Sequence, residues 1–128
     1  MKALLDTHAL LWWLTDDDRL SAQALAVIKN PRNTVWVSPA SGWELATKLQ
    51  LGKLPGAERV LPKLPALVEE ARLRVLPITL VHALRAGLLD RRHRDPFDRM
   101  LVAQATLEHM VLVTSDPACN ALGAETIW

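Results

Sequence analysis

The chain has 128 residues and a mass of 14.2 kDa, and 50% of its residues are hydrophobic, so it is long enough to bury the core of one domain but too short for two. Fifteen Lys and Arg against fourteen Asp and Glu leave a formal charge of +1, which excludes a chain-wide field for a nucleic acid or a membrane. The single cysteine, Cys119, excludes an internal disulfide framework and favours a reducing compartment, so we expect the protein in the cytoplasm. The sequence has no apolar run of about 18 residues, which excludes a membrane span. We expect a single domain over residues 1–128.

The first half of the chain predicts two strands and three helices. In chain order these are a strand at Ala3–Leu5, a helix from about His8 to Leu14, a helix at Ser21–Lys29, a strand at Thr34–Val37 and a helix from Ser38 to about Gln50. Prolines at positions 55, 62 and 65 then interrupt the chain, so the middle third has the least defined pattern.

The second half continues the alternation of helices and strands. It predicts an amphipathic segment from about Ala66 to Leu73, an edge strand at Arg74–Pro77, a helix at Val81–Leu89, a helix from Pro96 to about His109, a strand at Met110–Thr114 and a helix that starts at Pro117. Such alternation predicts an α/β layer fold around a largely parallel sheet.

Two aspartates stand at the ends of predicted strands. Asp6 follows the first strand and Asp116 follows the last one, so both should lie at the sheet edge where open α/β folds bind their ligands. Each aspartate also stands directly before a helix, where capping of the helix is an alternative explanation. The position alone does not decide between a cap and a binding site.

Two further acids lie on predicted helices. Asp98 shares a helix face with the apolar residues Leu101 and Ala105, where a carboxylate needs a partner, although it also suits the dipole of a first helical turn. Glu44 lies in the middle of a helix among small residues, and an exposed ion pair with Lys48 is its alternative role.

If all four acids lay close together, their mutual repulsion would have to be offset. Two carboxylates about 4 Å apart repel by about 4 kcal/mol at an effective dielectric constant of about 20, so a cluster requires protonation or a cation. Oxygen ligands favour Mg²⁺ or Mn²⁺ over Zn²⁺. A site of this kind can activate water and neutralise a phosphodiester.

Four segments, in this order and at these intervals, resemble those of a known family. They are Leu4–His8, Ser38–Lys48 with Gly52–Leu54, His93–Ala105 and Val113–Asp116. Together they resemble the PIN-domain ribonucleases and, more narrowly, the VapC-like toxins of type II toxin–antitoxin modules. The resemblance extends over nearly the whole chain.

The resemblance implies an α/β/α sandwich with a parallel sheet, dependence on Mg²⁺ or Mn²⁺, and endonucleolytic cleavage of RNA. It implies a homodimer and an antitoxin whose helical tail covers the active-site groove. The four acids of the family, which bind the metal and carry catalysis, fall on Asp6, Glu44, Asp98 and Asp116. Hydroxyl groups that hold these acids or water fall on Thr7, Ser38 and Thr114, for which ordinary capping is the alternative.

The segment before Asp98 contains a second acid and a basic run. Asp95 is explained by capping, although it remains a candidate for supporting the site. The arginines around this segment are predicted to contact phosphates of the RNA beside the metal. The alternative is a solvated loop. These arginines are Arg91, Arg92, Arg94 and Arg99. For His8 and His93 we expect structural or positioning roles.

The first helix is apolar nearly all round, because it contains Trp12 and Trp13 among leucines, and this predicts a spare surface for an interface. Other functions fit less well. A phosphorelay receiver needs paired acids after its first strand, and an aspartyl phosphatase has a second acid where His8 stands. A PIN-like module that binds RNA or antitoxin without turnover, and a stand-alone RNA-processing nuclease, remain open.

Overall fold

The computed structural model describes residues 1–128 and contains five strands and eight α-helices. The strands are β1 (Lys2–Leu5), β2 (Thr34–Val37), β3 (Arg74–Val75), β4 (Val111–Val113) and β5 (Thr126–Ile127). The helices are α1 (Thr7–Leu14), α2 (Ala22–Lys29), α3 (Pro39–Gln50), α4 (Ala57–Val60), α5 (Leu64–Glu70), α6 (Leu80–Leu88), α7 (Pro96–Leu107) and α8 (Pro117–Ala121).

All five strands run parallel in the order β3-β2-β1-β4-β5. The central strand β1 is buried on both faces: Ala3 and Leu5 point into one core and Leu4 into the other. The first core lies under α1, α2 and α5, and the second lies under α7 and α8. This arrangement confirms the predicted α/β/α sandwich. The longest helices, α3 and α7, have 12 residues each, and none of the eight helices could span a membrane.

The middle third and the C-terminus contain elements that the sequence pattern did not indicate. Helix α4, a 3-10 turn at Leu61–Lys63 and strand β5 were not predicted, because each is only two to four residues long. Helix α5 begins at Leu64, before the predicted start at Ala66, since Pro65 is tolerated in a first helical turn. The predicted edge strand is confirmed but shortened to Arg74–Val75.

The spare apolar surface lies on a different helix from the one predicted. On α1, the side chains of Trp12 and Trp13 are half-buried and pack against the first core. The largest group of exposed apolar residues lies on α6, where Leu80 is 77% exposed and Leu88 is 85% exposed. Local periodicity does not show whether the apolar residues of α1 or those of α6 stay exposed, because their burial depends on how the helices pack in the fold.

Candidate active site

A cavity of about 220 Å³ opens at the carboxyl edge of the sheet, and no hydrophobic side chain lines it. It brings together all four acids predicted from the sequence, which come from four separate segments of the chain. The lining residues are Asp6, Thr7, His8, Glu44, Lys48, Asp95, Asp98, Ser115 and Asp116. We call this cavity the acidic pocket.

Two of the pocket's aspartates also cap helices. Asp6 Oδ1 accepts a 2.8 Å hydrogen bond from the Ala9 amide at the start of α1, and Asp116 Oδ1 accepts one of 2.9 Å from Ala118 at the start of α8. The capping and site interpretations are therefore compatible. The cap fixes one carboxylate oxygen and the orientation of the side chain, while the second oxygen is left outside the cap.

Asp95 and Asp98 share the first turn of α7. Asp95 Oδ1 accepts hydrogen bonds from the amides of Phe97 and Asp98, as expected for a cap, and Asp95 also lines the pocket. Burial, followed by the charge of Asp95, raises the pKa of Asp98 to about 6, although a 3.1 Å contact with His93 Nε2 opposes the rise. Burial also raises the pKa of Asp6. A cation in the pocket would relieve both carboxylates.

Both carboxylate oxygens of Glu44 have partners. Thr7 donates its hydroxyl to Oε1 at 2.5 Å, and the ammonium of Lys48 binds Oε2. Glu44 is only 4% exposed, so the Glu44–Lys48 pair that the spacing allowed lies inside the pocket and not on the surface. Burial opposes the charge of Lys48, but its bond to Glu44 and the nearby acids raise the lysine's pKa overall.

An aromatic contact links the helices that carry Glu44 and Asp98. The rings of Trp43 and Phe97, the residues directly before these acids, meet edge to face with their centroids 4.8 Å apart. Such aromatic pairs contribute about 0.5–1.5 kcal/mol beyond the area they bury. Packing of α3 on α7 therefore places the two acids around one cavity.

The three predicted hydroxyl residues have different surroundings. Thr7 lies in the pocket and holds Glu44, and the hydroxyl of Thr114 accepts a 3.1 Å hydrogen bond from the amide of Asp116. The Thr114 hydroxyl also lowers the pKa of Asp6 and so opposes part of the rise caused by burial. Ser38 caps α3 by accepting from the Ala40 amide at 3.0 Å and does not line the pocket. For Ser38, the structure supports the capping alternative.

Two residues near the pocket were not singled out as site residues from the sequence. Ser115 lines it, and the thiol of Cys119 lies within 4.8 Å of carboxylate oxygens of Asp98 and Asp116. Cys119 is fully buried, and burial raises the pKa of its thiol to about 12. Cys119 lies on α8 three residues after Asp116, the N-cap of that helix, and this spacing is the signal that places both on the same side of the first turn.

The lining residues fit a hard divalent cation. Carboxylate and hydroxyl oxygens are the ligands that Mg²⁺ and Mn²⁺ prefer. Two oxygens bound to one Mg²⁺ at about 2.1 Å lie up to about 4.2 Å apart. The Asp98 and Asp116 oxygens already lie within 4.8 Å of each other, so only a small movement of the side chains brings both onto one ion.

The basic segment before α7 contains cations in two different states. The guanidinium of Arg99 donates to the backbone carbonyls of Gly87, Leu89, Asp90 and His93, and it thereby ties the end of α6 to α7. Arg92 pairs with Asp90 at 2.6 Å, whereas Arg91 and Arg94 are exposed without an ion pair. RNA binding by these arginines stays a prediction, and for Arg99 every contact seen is internal.

Comparison with known proteins gives consistent matches. Residues 3–124 match the family model of the PIN domain. The chain is 33% identical over 114 residues to Ribonuclease VapC22 of Mycobacterium tuberculosis, and the match covers 88% of this chain and 85% of that protein.

Solved structures with the same fold include VapBC2 from Rickettsia felis bound to a promoter DNA fragment, with a TM-score of 0.71, 19% identity and coverage of 100% of this chain and 99% of the other. VapBC-1 from nontypeable Haemophilus influenzae has a TM-score of 0.68, 20% identity and coverage of 99% and 97%. A toxin–antitoxin complex from Klebsiella pneumoniae has a TM-score of 0.65 at 22% identity, with coverage of 98% and 96%. At these identities the likeness concerns the fold alone.

Proposed function

The chain belongs to the PIN domain family, and we propose that it is a metal-dependent endoribonuclease that acts as the toxin of a type II toxin–antitoxin module. The observation that carries the proposal is the acidic pocket, where four acids from separate segments converge without any hydrophobic side chain. The 33% identity to Ribonuclease VapC22 supports RNA as the substrate.

The proposed roles follow from the surroundings of each acid. Asp6, Asp98 and Asp116 would hold Mg²⁺ or Mn²⁺, with Glu44 as the fourth acid of the set. When bound, the ion supplies a Lewis acid that activates water and offsets the charge of the phosphodiester. The caps on Asp6 and Asp116 fix their carboxylates before substrate arrives, which reduces the reorganisation needed for catalysis.

Glu44 and Lys48 act as a positioned pair in this proposal. Thr7 and Lys48 hold the Glu44 carboxylate in one orientation at the pocket wall. The ammonium of Lys48 also offsets part of the negative charge that a phosphate would meet among the acids. The chain's own contribution is therefore orientation of carboxylates and partial neutralisation of charge.

The test is cleavage of a mixed cellular RNA pool by the purified protein in Mg²⁺, Mn²⁺ or EDTA, with Asp98→Asn as the matched control. We expect cuts that require the metal and that disappear with Asp98→Asn, while circular dichroism shows an unchanged fold. Full activity of Asp98→Asn would contradict the assignment of this acid.

Absence of cleavage with every metal, from folded protein free of antitoxin, would contradict the nuclease proposal. That result would favour a module that binds RNA or antitoxin without turnover. A nuclease that cuts RNA but captures no partner from its own cells would be a stand-alone processing enzyme, and the toxin assignment would then fail.

The proposed partners are RNA and a cognate antitoxin, in the cytoplasm. The antitoxin is supported by solved relatives that are named as toxin–antitoxin complexes. We place the proposed homodimer contact on α6, because Leu80, Leu84 and Leu88 repeat every four residues and form one exposed apolar stripe.

Size-exclusion chromatography with light scattering tests the dimer. We expect a dimer at micromolar concentration and a monomer for Leu84→Glu with Leu88→Glu, because two buried charges would face each other across a two-fold contact. Leu51→Glu, at a residue 60% exposed on a different surface, is the control and should leave the dimer intact. A wild-type monomer would contradict the proposal.

A further inference from the structure

A second cavity, of about 420 Å³, lies at the amino edge of the sheet, on the side opposite to the acidic pocket. Two turns form it: residues 28–35 connect α2 to β2, and residues 71–74 connect α5 to β3. Strand β2 has four residues, so at a rise of about 3.3 Å per residue the two edges are separated by about 13 Å. The two cavities are therefore distinct sites.

The charge of this second cavity is entirely positive. Its lining contains Lys29, Arg32, Arg72 and Arg74 and no acidic residue. All four cations are exposed, and none of them forms an ion pair within the chain. We call this cavity the basic cleft. In a chain whose formal charge is only +1, four unpaired cations around one cavity are a local concentration of charge.

The backbone that presents these cations is well ordered by hydrogen bonds. In the first turn, the side chain of Asn30 accepts from the Arg32 amide at 3.0 Å, and Asn33 donates to the carbonyl of Val27 at 2.9 Å. The side chain of Arg32 therefore projects from a fixed turn. A fixed turn lowers the entropy that a ligand must remove on binding.

The second turn is fixed in a similar way. Arg72 has a left-handed φ of 58°, a conformation that usually selects glycine after a helix and costs another residue about 1 kcal/mol. Backbone bonds from Arg72 to Glu69 and from Leu73 to Val68 hold this turn. The guanidinium of Arg74 lies 5.6 Å from the ring centroid of Trp36, so its position at the cleft is also supported.

Helix electrostatics explain only part of this arrangement. Lys29 lies in the last turn of α2, and Arg72 follows the end of α5, so both complement the negative ends of helix dipoles. Arg32 and Arg74 lie beyond those last turns and have no such local role. The cations repel one another, and a polyanion in the cleft relieves that repulsion.

We propose that the basic cleft binds the phosphate backbone of the RNA substrate at a distance from the cleaved bond. No aromatic side chain and no acid line the cleft, so it can contact phosphates but has little with which to distinguish bases. The cleft therefore favours RNAs that extend well beyond the cut, and it adds affinity without adding sequence preference. This inference rests on the proposed ribonuclease function.

The test compares two variants that lose the same charge. The cleft variant is Arg32→Ala with Arg72→Ala and Arg74→Ala. The control variant is Lys53→Ala with Arg59→Ala and Lys63→Ala, three exposed cations on another surface. Fluorescence anisotropy in EDTA measures binding of a labelled single-stranded RNA of about 40 nucleotides, long enough to reach both edges of the sheet.

We expect the cleft variant to bind RNA at least about 10-fold more weakly at physiological salt, and the slope of log K against log salt to become shallower by about 2. The control variant should retain the wild-type slope. In cleavage assays the cleft variant should raise KM and leave kcat unchanged, because the acidic pocket is intact. Equal RNA binding by the two variants would overturn the inference.

Two further arms keep the result unambiguous. If Arg74→Ala disturbs the fold because it removes the stacking on Trp36, Arg32→Glu with Arg72→Glu tests the same cleft with Arg74 in place. A polyglutamate peptide is tested in the same way. If the cleft substitutions weaken binding of this peptide but leave RNA binding unchanged, the cleft binds an acidic protein segment and the RNA assignment is overturned. Because binding is measured without metal, failure of the nuclease proposal is distinguishable from failure of this one.

Discussion

The acidic pocket and the basic cleft lie at opposite edges of the same parallel sheet. Each site groups charges mainly of one sign, but the charges of the pocket are largely buried and those of the cleft are exposed. In the pocket, Asp6 and Glu44 are less than 10% exposed, and each has fixed hydrogen-bond partners. In the cleft, Arg32 and Arg72 are exposed and have no acidic partner. Burial makes the pocket's charges strong and specific, whereas exposure leaves the cleft's charges screened by salt.

This difference has a physical origin in the side chains. Aspartate is short, so its carboxylate stays where a strand end and a helix cap place it, which suits ligation and catalysis. Arginine has a long side chain, so an exposed guanidinium can move to meet a phosphate and bind it through two parallel hydrogen bonds. The pocket should therefore control the rate of the chemical step, and the cleft should control affinity.

The largest expected effect is on turnover. Glu44→Gln keeps the shape of the side chain but removes its charge from the pocket, and we expect kcat to fall about 100- to 1,000-fold with little change in KM. Arg32→Gln in the cleft should instead raise KM a few-fold and leave kcat unchanged. Steady-state cleavage of one defined RNA measures both parameters.

The opposite pattern would contradict the assignment of the chemical step to the pocket and of affinity to the cleft. If Glu44→Gln changed only KM, the pocket would bind RNA without carrying the chemistry. If Arg32→Gln lowered kcat, the cleft would be coupled to the reaction. A melting curve for each variant separates these outcomes from loss of the fold.

A smaller effect concerns stability without metal. The pKa of Asp98 is about 6 in the folded protein, above its ordinary value of 3.8, because burial disfavours the charged form. The folded state thus binds this proton more tightly than the unfolded state does. The contribution of the protonated Asp98 to the free energy of unfolding is therefore lost as pH rises from about 4 to about 6. At neutral pH in EDTA, we expect Asp98→Asn to raise the free energy of unfolding by about 1–2 kcal/mol.

Urea denaturation in EDTA near pH 5 and near pH 7.5 measures this effect. The gain from Asp98→Asn should be larger at the higher pH, and Mg²⁺ should stabilise the wild type but not the variant. Asp18→Asn, at an exposed acid outside the pocket, should change neither value. A variant less stable than the wild type at neutral pH would show that Asp98 makes a net favourable contribution without metal.

Much of the fold was predictable because its signals are local. Strand β1 is a short apolar run, and β2 is rich in β-branched residues. Helices α3, α7 and α8 each begin with a capping residue followed by proline, as expected from the sequence. Hydrogen bonds of this type form between neighbours in the chain, so their pattern can be seen without the fold. Elements of two to four residues, such as α4 and β5, lack enough periodicity for prediction.

Two acids of the candidate site could be predicted from their positions after strands, whereas Glu44 and Asp98 were predicted from the resemblance to the PIN-domain ribonucleases. Asp6 and Asp116 follow β1 and β4, which are neighbours in the sheet, so their proximity follows from topology. The enclosure of Lys48 between Glu44 and the aspartates depends on how α3 packs against α7. The spacing of four residues between Glu44 and Lys48 does not indicate whether the pair lies on the surface or in a pocket.

The alternation of strands and helices and the caps that fix three aspartates could be predicted from the sequence, because these features depend on residues close together in the chain. The four acids are far apart in the chain, and their grouping was predicted from the resemblance to the PIN-domain ribonucleases. Which charges and apolar faces remain without partners depends on the packing of the whole chain. The basic cleft joins turns that are about forty residues apart in sequence, and the apolar stripe of α6 is exposed because the cores are filled by other helices. Burial and pairing are properties of the packed chain, since each depends on residues distant in sequence.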